Sequence, residues 1–215
     1  MPKQNILVFC SHSDDQILGP GATLAKYAKE GKQIVIVIFS YGEVSPLKKS
    51  IIIKRRVEES KRAGKILGCK DKDLIFFSLP DGRIASKIKE MKIEDEVKKI
   101  IDKYKPVKIF THSPSDPMPD HRTVNKLVFK VLKDMKTNYD LYSFDIWNVV
   151  NLKERAKPRL YVDITKFFDL KIKALKEFKS QRHIIYEFIP TVYARAKLAG
   201  EHYGCKYAER FHKLL

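Results

Sequence analysis

Four short apolar runs, Ile6–Cys10, Ile34–Ser40, Leu74–Leu79 and Val107–Thr111, constrain this chain more than anything else in it. Each is rich in β-branched and aromatic residues, and none alternates apolar with polar positions. Such runs read as strands covered on both faces, the usual condition of a parallel sheet. Between them lie stretches of helical periodicity, Leu18–Glu30, Ile51–Leu67 and Ile93–Tyr104. Gly31 and Gly68 close the first two, and Pro106 stops the third. The alternation predicts an α/β fold, a mostly parallel sheet with helices on both faces.

A fourth helix is expected from about Asp120 through Leu132. The last third is less regular: Leu141–Val150 and Arg159–Asp163 read as strands, Phe167–Ser180 as an amphipathic helix and Tyr207–Leu214 as a short final helix. No repeat, low-complexity run or Ser/Gly linker divides the chain, so residues 1–215 are expected to form one domain. The formal charge is +17, from 43 basic and 26 acidic residues. The lysines are spread through the helical patterns rather than gathered in a tail, so a solvated surface is expected and nucleic-acid binding is not. Cys10, Cys69 and Cys205 are distant and odd in number, which suggests neither a disulfide framework nor a thiolate zinc knuckle and points to a reducing cytoplasm. Met1–Asn5 lead straight into the first strand with no signal-peptide pattern, and Ile34–Ser40 is too short to insert in a membrane, which takes about 20 residues.

The chemistry gathers after the first run, in Ser11-His12-Ser13-Asp14-Asp15. Open α/β sheets place their ligands at the carboxyl ends of strands. Two adjacent carboxylates repel there unless a cation shares the site. A divalent metal accounts for them, one carboxylate serving as ligand and the other left for proton transfer. His12 and Asp15 are close enough to hold one ion as the chain turns, and zinc favours imidazole nitrogen and carboxylate oxygen, with three protein ligands and a position for water. A third ligand should come from another strand end, and His121, after Val107–Thr111, is the best placed.

These residues also resemble a known family. His12-Ser13-Asp14-Asp15-Gln16 resembles the His-Pro-Asp-Asp-Glu signature of the PIG-L/LmbE-like zinc de-N-acetylases, and Pro119-Asp120-His121-Arg122 resembles their His-Pro-Asp-His-Arg motif. Gly19–Ala25, Arg56-Val57-Glu58-Glu59 and Ala208-Glu209-Arg210-Phe211 are similar to further motifs in the same order. The resemblance implies a Rossmann-like hydrolase that removes the N-acetyl group of an amino sugar of the N-acetylglucosamine type. It implies Zn2+ on His12, Asp15 and His121, Asp14 as general base, and Arg56 on sugar hydroxyls.

Ser13 and Gln16 depart from the signature at positions not expected to bind metal. Met118 stands where the family has a histidine, and a thioether offers neither proton nor charge. A catalytically weak or inactive metal- and sugar-binding homologue is therefore the main alternative. Either Asp14 handles both proton steps or His112, at the end of the same strand, substitutes. Asp116 is a candidate for binding a sugar hydroxyl or orienting a catalytic partner, against a turn-shaping role beside Pro117. Asp120 is expected to cap the fourth helix, and Trp147 to be core. Gly19 and Gly21 lack a third glycine in register, so a dinucleotide site is discounted. Tyr186, Tyr193 and Tyr203 are left as pocket residues or a homo-oligomer interface. The basic surface suggests phosphorylated or nucleotide-linked sugars as substrates.

Overall fold

The computed structural model describes residues 4–42, 49–136, 138–148, 151, 153 and 156–215. The chain runs β1 (Asn5–Cys10), α1 (Asp15–Leu18), α2 (Gly21–Lys29), β2 (Gln33–Ser40), α3 (Lys49–Ile66), β3 (Leu74–Leu79), α4 (Ile84–Glu90) and α5 (Ile93–Tyr104). It continues through β4 (Lys108–His112), α6 (Pro119–Asp134), β5 (Asp140–Phe144), β6 (Arg159–Asp163), α7 (Phe168–Leu175), α8 (Arg182–Tyr203) and β7 (Ala208–Lys213). The strands form one sheet in the order β3-β2-β1-β4-β5-β7-β6. β1 to β5 are mutually parallel, while β7 runs antiparallel to both β5 and β6.

Successive strand residues point to opposite faces, and both faces are covered. Ile6, Val8, Cys10, Ile34, Ile36 and Ile38 enter one core, which includes Leu24 of α2, Leu175 of α7 and Phe188 of α8. Leu7, Phe9, Val35, Val37, Phe39 and Ile109 enter the other, against the apolar stripes Val97-Ile100-Ile101 of α5 and Val124-Leu127-Val128-Val131 of α6. Double burial is why these strands lack alternation.

Several expectations change. The helix predicted over Leu18–Glu30 starts only at Gly21, after the short α1 and a break at Gly19-Pro20, where proline removes a backbone donor. A Cβ at Gly19 would lie 2.4 Å from the Phe144 ring, so that glycine serves packing. The helix predicted over Phe167–Ser180 ends at Leu175, and a separate 3-10 turn, Lys179–Gln181, follows. Tyr207–Leu214 is not a helix. It contains β7, hydrogen-bonded between β5 and β6 with Glu209 and His212 buried, because tertiary partners absorb charges that look like a solvent face. β5 stops at Phe144, and Val149 and Val150 of the predicted strand Leu141–Val150 lie outside the described residues, as do Met1–Lys3. The 22-residue α8 was not predicted. Among the described residues no helix is long and apolar enough to cross a membrane.

β1 lies between β2 and β4, so the connections leaving its carboxyl end and that of β4 diverge to opposite sides. A crevice opens where they part.

Candidate active site

The crevice is built from the ends of β1 and β4. After β1 the chain turns into α1, and the His12 N–H donates to Asp15 Oδ2 at 2.7 Å. This closes the turn and brings the two side chains together. After β4, a loop leads into α6, whose first turn carries His121. His12 Nδ1 lies 3.3 Å from His121 Nε2, and each nitrogen lies 3.5 Å from Asp15 Oδ2. A tetrahedral ion with bonds of about 2.0–2.1 Å separates its ligands by about 3.3–3.4 Å, so the three donors already have the spacing of a zinc-type site.

Both imidazoles are braced from behind, the arrangement that fixes ring orientation and tautomer at metal centres. His12 Nε2 lies 2.9 Å from Asp81 Oδ1, which leaves Nδ1 as the lone-pair nitrogen facing the other donors. His121 Nδ1 lies 3.1 Å from Asp116 Oδ1. Asp15 Oδ2 lies 3.2 Å from His112 Nε2, and His112 itself stacks on His121 with ring centroids 3.9 Å apart. Burial alone would push the His12 imidazole down, but Asp120, Asp15 and Asp81 hold its pKa well above the usual value. Burial also opposes ionisation of Asp15, yet the imidazoles of His121 and His112 hold its carboxyl well below the carboxylate range.

Asp14 is adjacent but differently placed. Its carbonyl starts α1, while its carboxylate accepts from Gln181 Nε2 at 3.1 Å. Burial and then the charge of Asp15 push its pKa up to about 6. A buried carboxylate with a pKa near neutrality beside a metal-type donor set is suited to taking and returning a proton.

Arg56 is buried and lines the crevice, with its Nη1 donating to the carbonyl oxygens of Tyr41 and Gly42. Gly42 has φ of +69°, and a Cβ there would lie 2.6 Å from Arg56 Nη1, so only glycine allows this grip. Gln16 bends back to donate to the Ser13 carbonyl at 2.6 Å, which explains why an amide is accommodated in place of the signature carboxylate.

The structure separates other expected roles. Asp116 is fully buried behind His121 rather than facing the crevice. His112 is likewise fully buried, its Nε2 accepting from the Ser11 N–H at 2.9 Å, and it cannot meet a substrate. Asp120 does not cap α6: it sits in the first turn and accepts from the Gly82 N–H at 2.9 Å. Trp147 is 47% exposed and lines the crevice instead of filling a core. Asp81 escaped sequence reasoning, and Gln181, part of the Ser180-Gln181 segment similar to the family's C-terminal pattern, was given no role. Asp81 stands in a Pro-Asp-Gly sequence of turn-forming type, and its place just after a strand end, where ligands bind, is the available signal. Among the described residues, the crevice encloses about 200 Å³ and is lined by all three metal-type donors, Asp14, Arg56 and Met118.

Comparison with known proteins places this geometry. The family PIG-L, GlcNAc-PI de-N-acetylase, matches residues 7–132. The chain is 25% identical over 228 residues to the diacetylchitobiose deacetylase of Thermococcus kodakarensis, covering 96% of this chain and 81% of that protein. It is 28% identical over 182 residues to the uncharacterized deacetylase YaiS of Escherichia coli, covering 83% and 92%. The solved N,N'-diacetylchitobiose deacetylase from Pyrococcus horikoshii superposes with a TM-score of 0.80 at 21% identity, over 99% of this chain and 84% of that one. The 4-carboxy-2-hydroxymuconate hydratase GalB from Pseudomonas putida also superposes at 0.80 and 21% identity, over 99% and 96%. The fold therefore serves more than one chemistry, and the site must decide between them.

Proposed function

The chain belongs to the PIG-L family of de-N-acetylases, and from that premise we propose that it hydrolyses the N-acetyl amide of an amino sugar with zinc held by His12, Asp15 and His121. The observation that carries the reading is the spacing of those three donors, with Asp14 buried beside them and not among them. Deacetylases of diacetylchitobiose among the relatives favour an N-acetylglucosamine-type substrate.

The bound cation supplies an acidified water and polarisation of the amide carbonyl. Asp14 takes a proton from the attacking water on its carboxylate and delivers it to the departing nitrogen. The acyl carbon gains oxygen and loses nitrogen, giving a carboxylate and a free amine. Gln181 holds one oxygen of Asp14 and so limits its rotation. Arg56 presents its guanidinium to the sugar hydroxyls. Asp81 and Asp116 keep the rings of His12 and His121 turned toward the ion. With Met118 offering no proton and His112 buried, Asp14 carries both proton steps.

The test is amine release from N-acetylglucosamine and diacetylchitobiose by zinc-loaded protein. Asp14→Asn is expected to lower kcat by about 10²–10⁴ while zinc content stays at one per chain. Undiminished turnover in this variant would remove Asp14 from the chemistry. Zinc retention without turnover in the wild-type protein would leave a binding homologue.

A further inference from the structure

The crevice is polar at one end and apolar at the other, and the strand order fixes which end is which. Asp81 follows β3, Arg56 is gripped at the end of β2, and the donors follow β1 and β4. Met118 lies in the loop after β4, and Ile146 and Trp147 follow β5. Ile184 and Phe188 come from the first turns of α8 and line the same crevice. Crossing the rim from β3 to β5 thus runs from Asp81, past the metal-type donors, to Met118, Ile146 and Trp147, with Phe188 of α8 packed on the indole and Gln181 beside Asp14.

The apolar end is held in shape. Trp147 packs edge-on against Phe188, with ring centroids 4.6 Å apart at 82°. Arg195 donates to the carbonyl oxygens of Asp145 and Ile146 and so anchors the segment that carries the indole. Yet Trp147 remains 47% and Ile184 45% exposed. Large apolar side chains grouped in a cleft and left open to water mark a place where apolar matter is bound.

Resting on the deacylase reading above, we infer that this end receives the acyl chain of the substrate and that the enzyme favours N-acyl groups longer than acetyl, such as butanoyl and hexanoyl. An amide held at the donors has a sugar on its nitrogen and an alkyl group on its carbonyl carbon. The sugar carries hydroxyls, which are costly to bury against apolar walls, so it belongs on the side of Arg56 and Asp81. The alkyl group then points to Met118, Trp147 and Ile184. Met118 in place of a histidine extends that wall up to the reacting centre. The hydrolysis is unchanged: water adds to the acyl carbon, the C–N bond breaks, and a longer carboxylate leaves.

Zinc-loaded protein is assayed for amine release from N-acetyl-, N-butanoyl- and N-hexanoylglucosamine, with octyl N-acetylglucosaminide as the alternative apolar substrate. Expected is a kcat/KM that rises about fourfold per added methylene, and a hexanoyl-to-acetyl ratio that falls at least about tenfold in both Trp147→Ala and the exposed-site variant Ile184→Ser. A kcat/KM that is flat or falls with acyl length overturns the inference, as does a ratio unchanged in both variants. Preference for the octyl glycoside without preference for longer acyl groups also overturns it, placing the aglycone at this wall. No amine from any substrate defeats the deacylase reading itself, a different result from acetyl release without chain-length preference.

Discussion

Two buried clusters of charge stand at opposite ends of α1, and they are built on different terms. At the far end, Lys171 Nζ donates to the carbonyl oxygens of Leu18 and Gly19 and to Glu209 Oε1 at 2.6 Å. Glu209 in turn accepts the N–H groups of Ala22 and Thr23 at the start of α2. Cation, anion and helix end satisfy one another. At the near end, His12, His121 and Asp15 bring one ligand atom each within 4.8 Å of one another. A second cavity of about 210 Å³ adjoins the Lys171–Glu209 cluster and matches the crevice in size. Size therefore does not identify the site; convergence of donors on a shared point does. The far cluster joins a cation to an anion, whereas the near one gathers three metal-type ligand atoms from two segments of the chain.

The largest expected effect separates the two directly. His121→Ala removes one of three donors, so zinc content should drop to background and amine release should fall by at least about 10³-fold. The cost to the chelator-treated protein should be about 1–3 kcal/mol, because Asp15 and the buried Asp116 lose the imidazole they face. Zinc content by elemental analysis and an unfolding curve in chelator check both halves. Retained zinc would mean that the ion sits elsewhere, and a large loss of apo stability would make the near cluster structural as well.

Lys171→Met is the converse. It leaves Glu209 buried without its cation, a change that ordinarily costs about 3–5 kcal/mol. The two N–H donors of α2 remain, so the low end of that range, about 3 kcal/mol, is expected from denaturant unfolding. Zinc content of the folded fraction should be unchanged. A neutral effect on stability would show that the far cluster contributes no more than well-packed carbon.

The two ends of α1 also differ in how much the chain reveals of them. His12, Asp15 and His121 lie in short motifs next to strands whose unbroken apolar character leaves little choice of fold. The rim of the sheet then forces them together. Lys171 and Glu209 are 38 residues apart in segments whose charges look like solvent faces, and only the tertiary structure reveals that both are buried. β7 was misread for that reason. α8 does bury Ile185, Phe188, Val192, Ala196 and Ala199 at helical spacing, but Pro190 inside it and exposed tyrosines around it obscure the period. The role of Asp81 was illegible, and Asp116 stayed open between orienting a partner, binding a hydroxyl and shaping a turn, because orienting a ring depends on a few tenths of an ångström, not on sequence spacing.

The smallest effect concerns pH and tests how Asp14 responds to Asp15 and to an added ion. In metal-free protein, Asp14 carries a folded pKa of about 6 against an ordinary value of 3.8, raised by burial and by Asp15. The folded state therefore binds its proton more tightly than the unfolded chain does. Its contribution to stability is fully present below the unfolded pKa and is lost as pH rises through about 6, at most about 2–3 kcal/mol. Asp15 works the other way: its lowered pKa gives stability above the ordinary carboxylate range that is lost on acidification. Asp14→Asn removes only the first contribution. Chelator-treated Asp14→Asn should gain stability relative to wild type between pH 4 and pH 6.5, and zinc should shrink that gain, because a cation beside Asp14 favours its ionised form. Parallel unfolding curves for the two proteins across this range, with and without zinc, would show that Asp14 feels neither Asp15 nor the ion, and the division of labour between the adjacent carboxylates would fail with it.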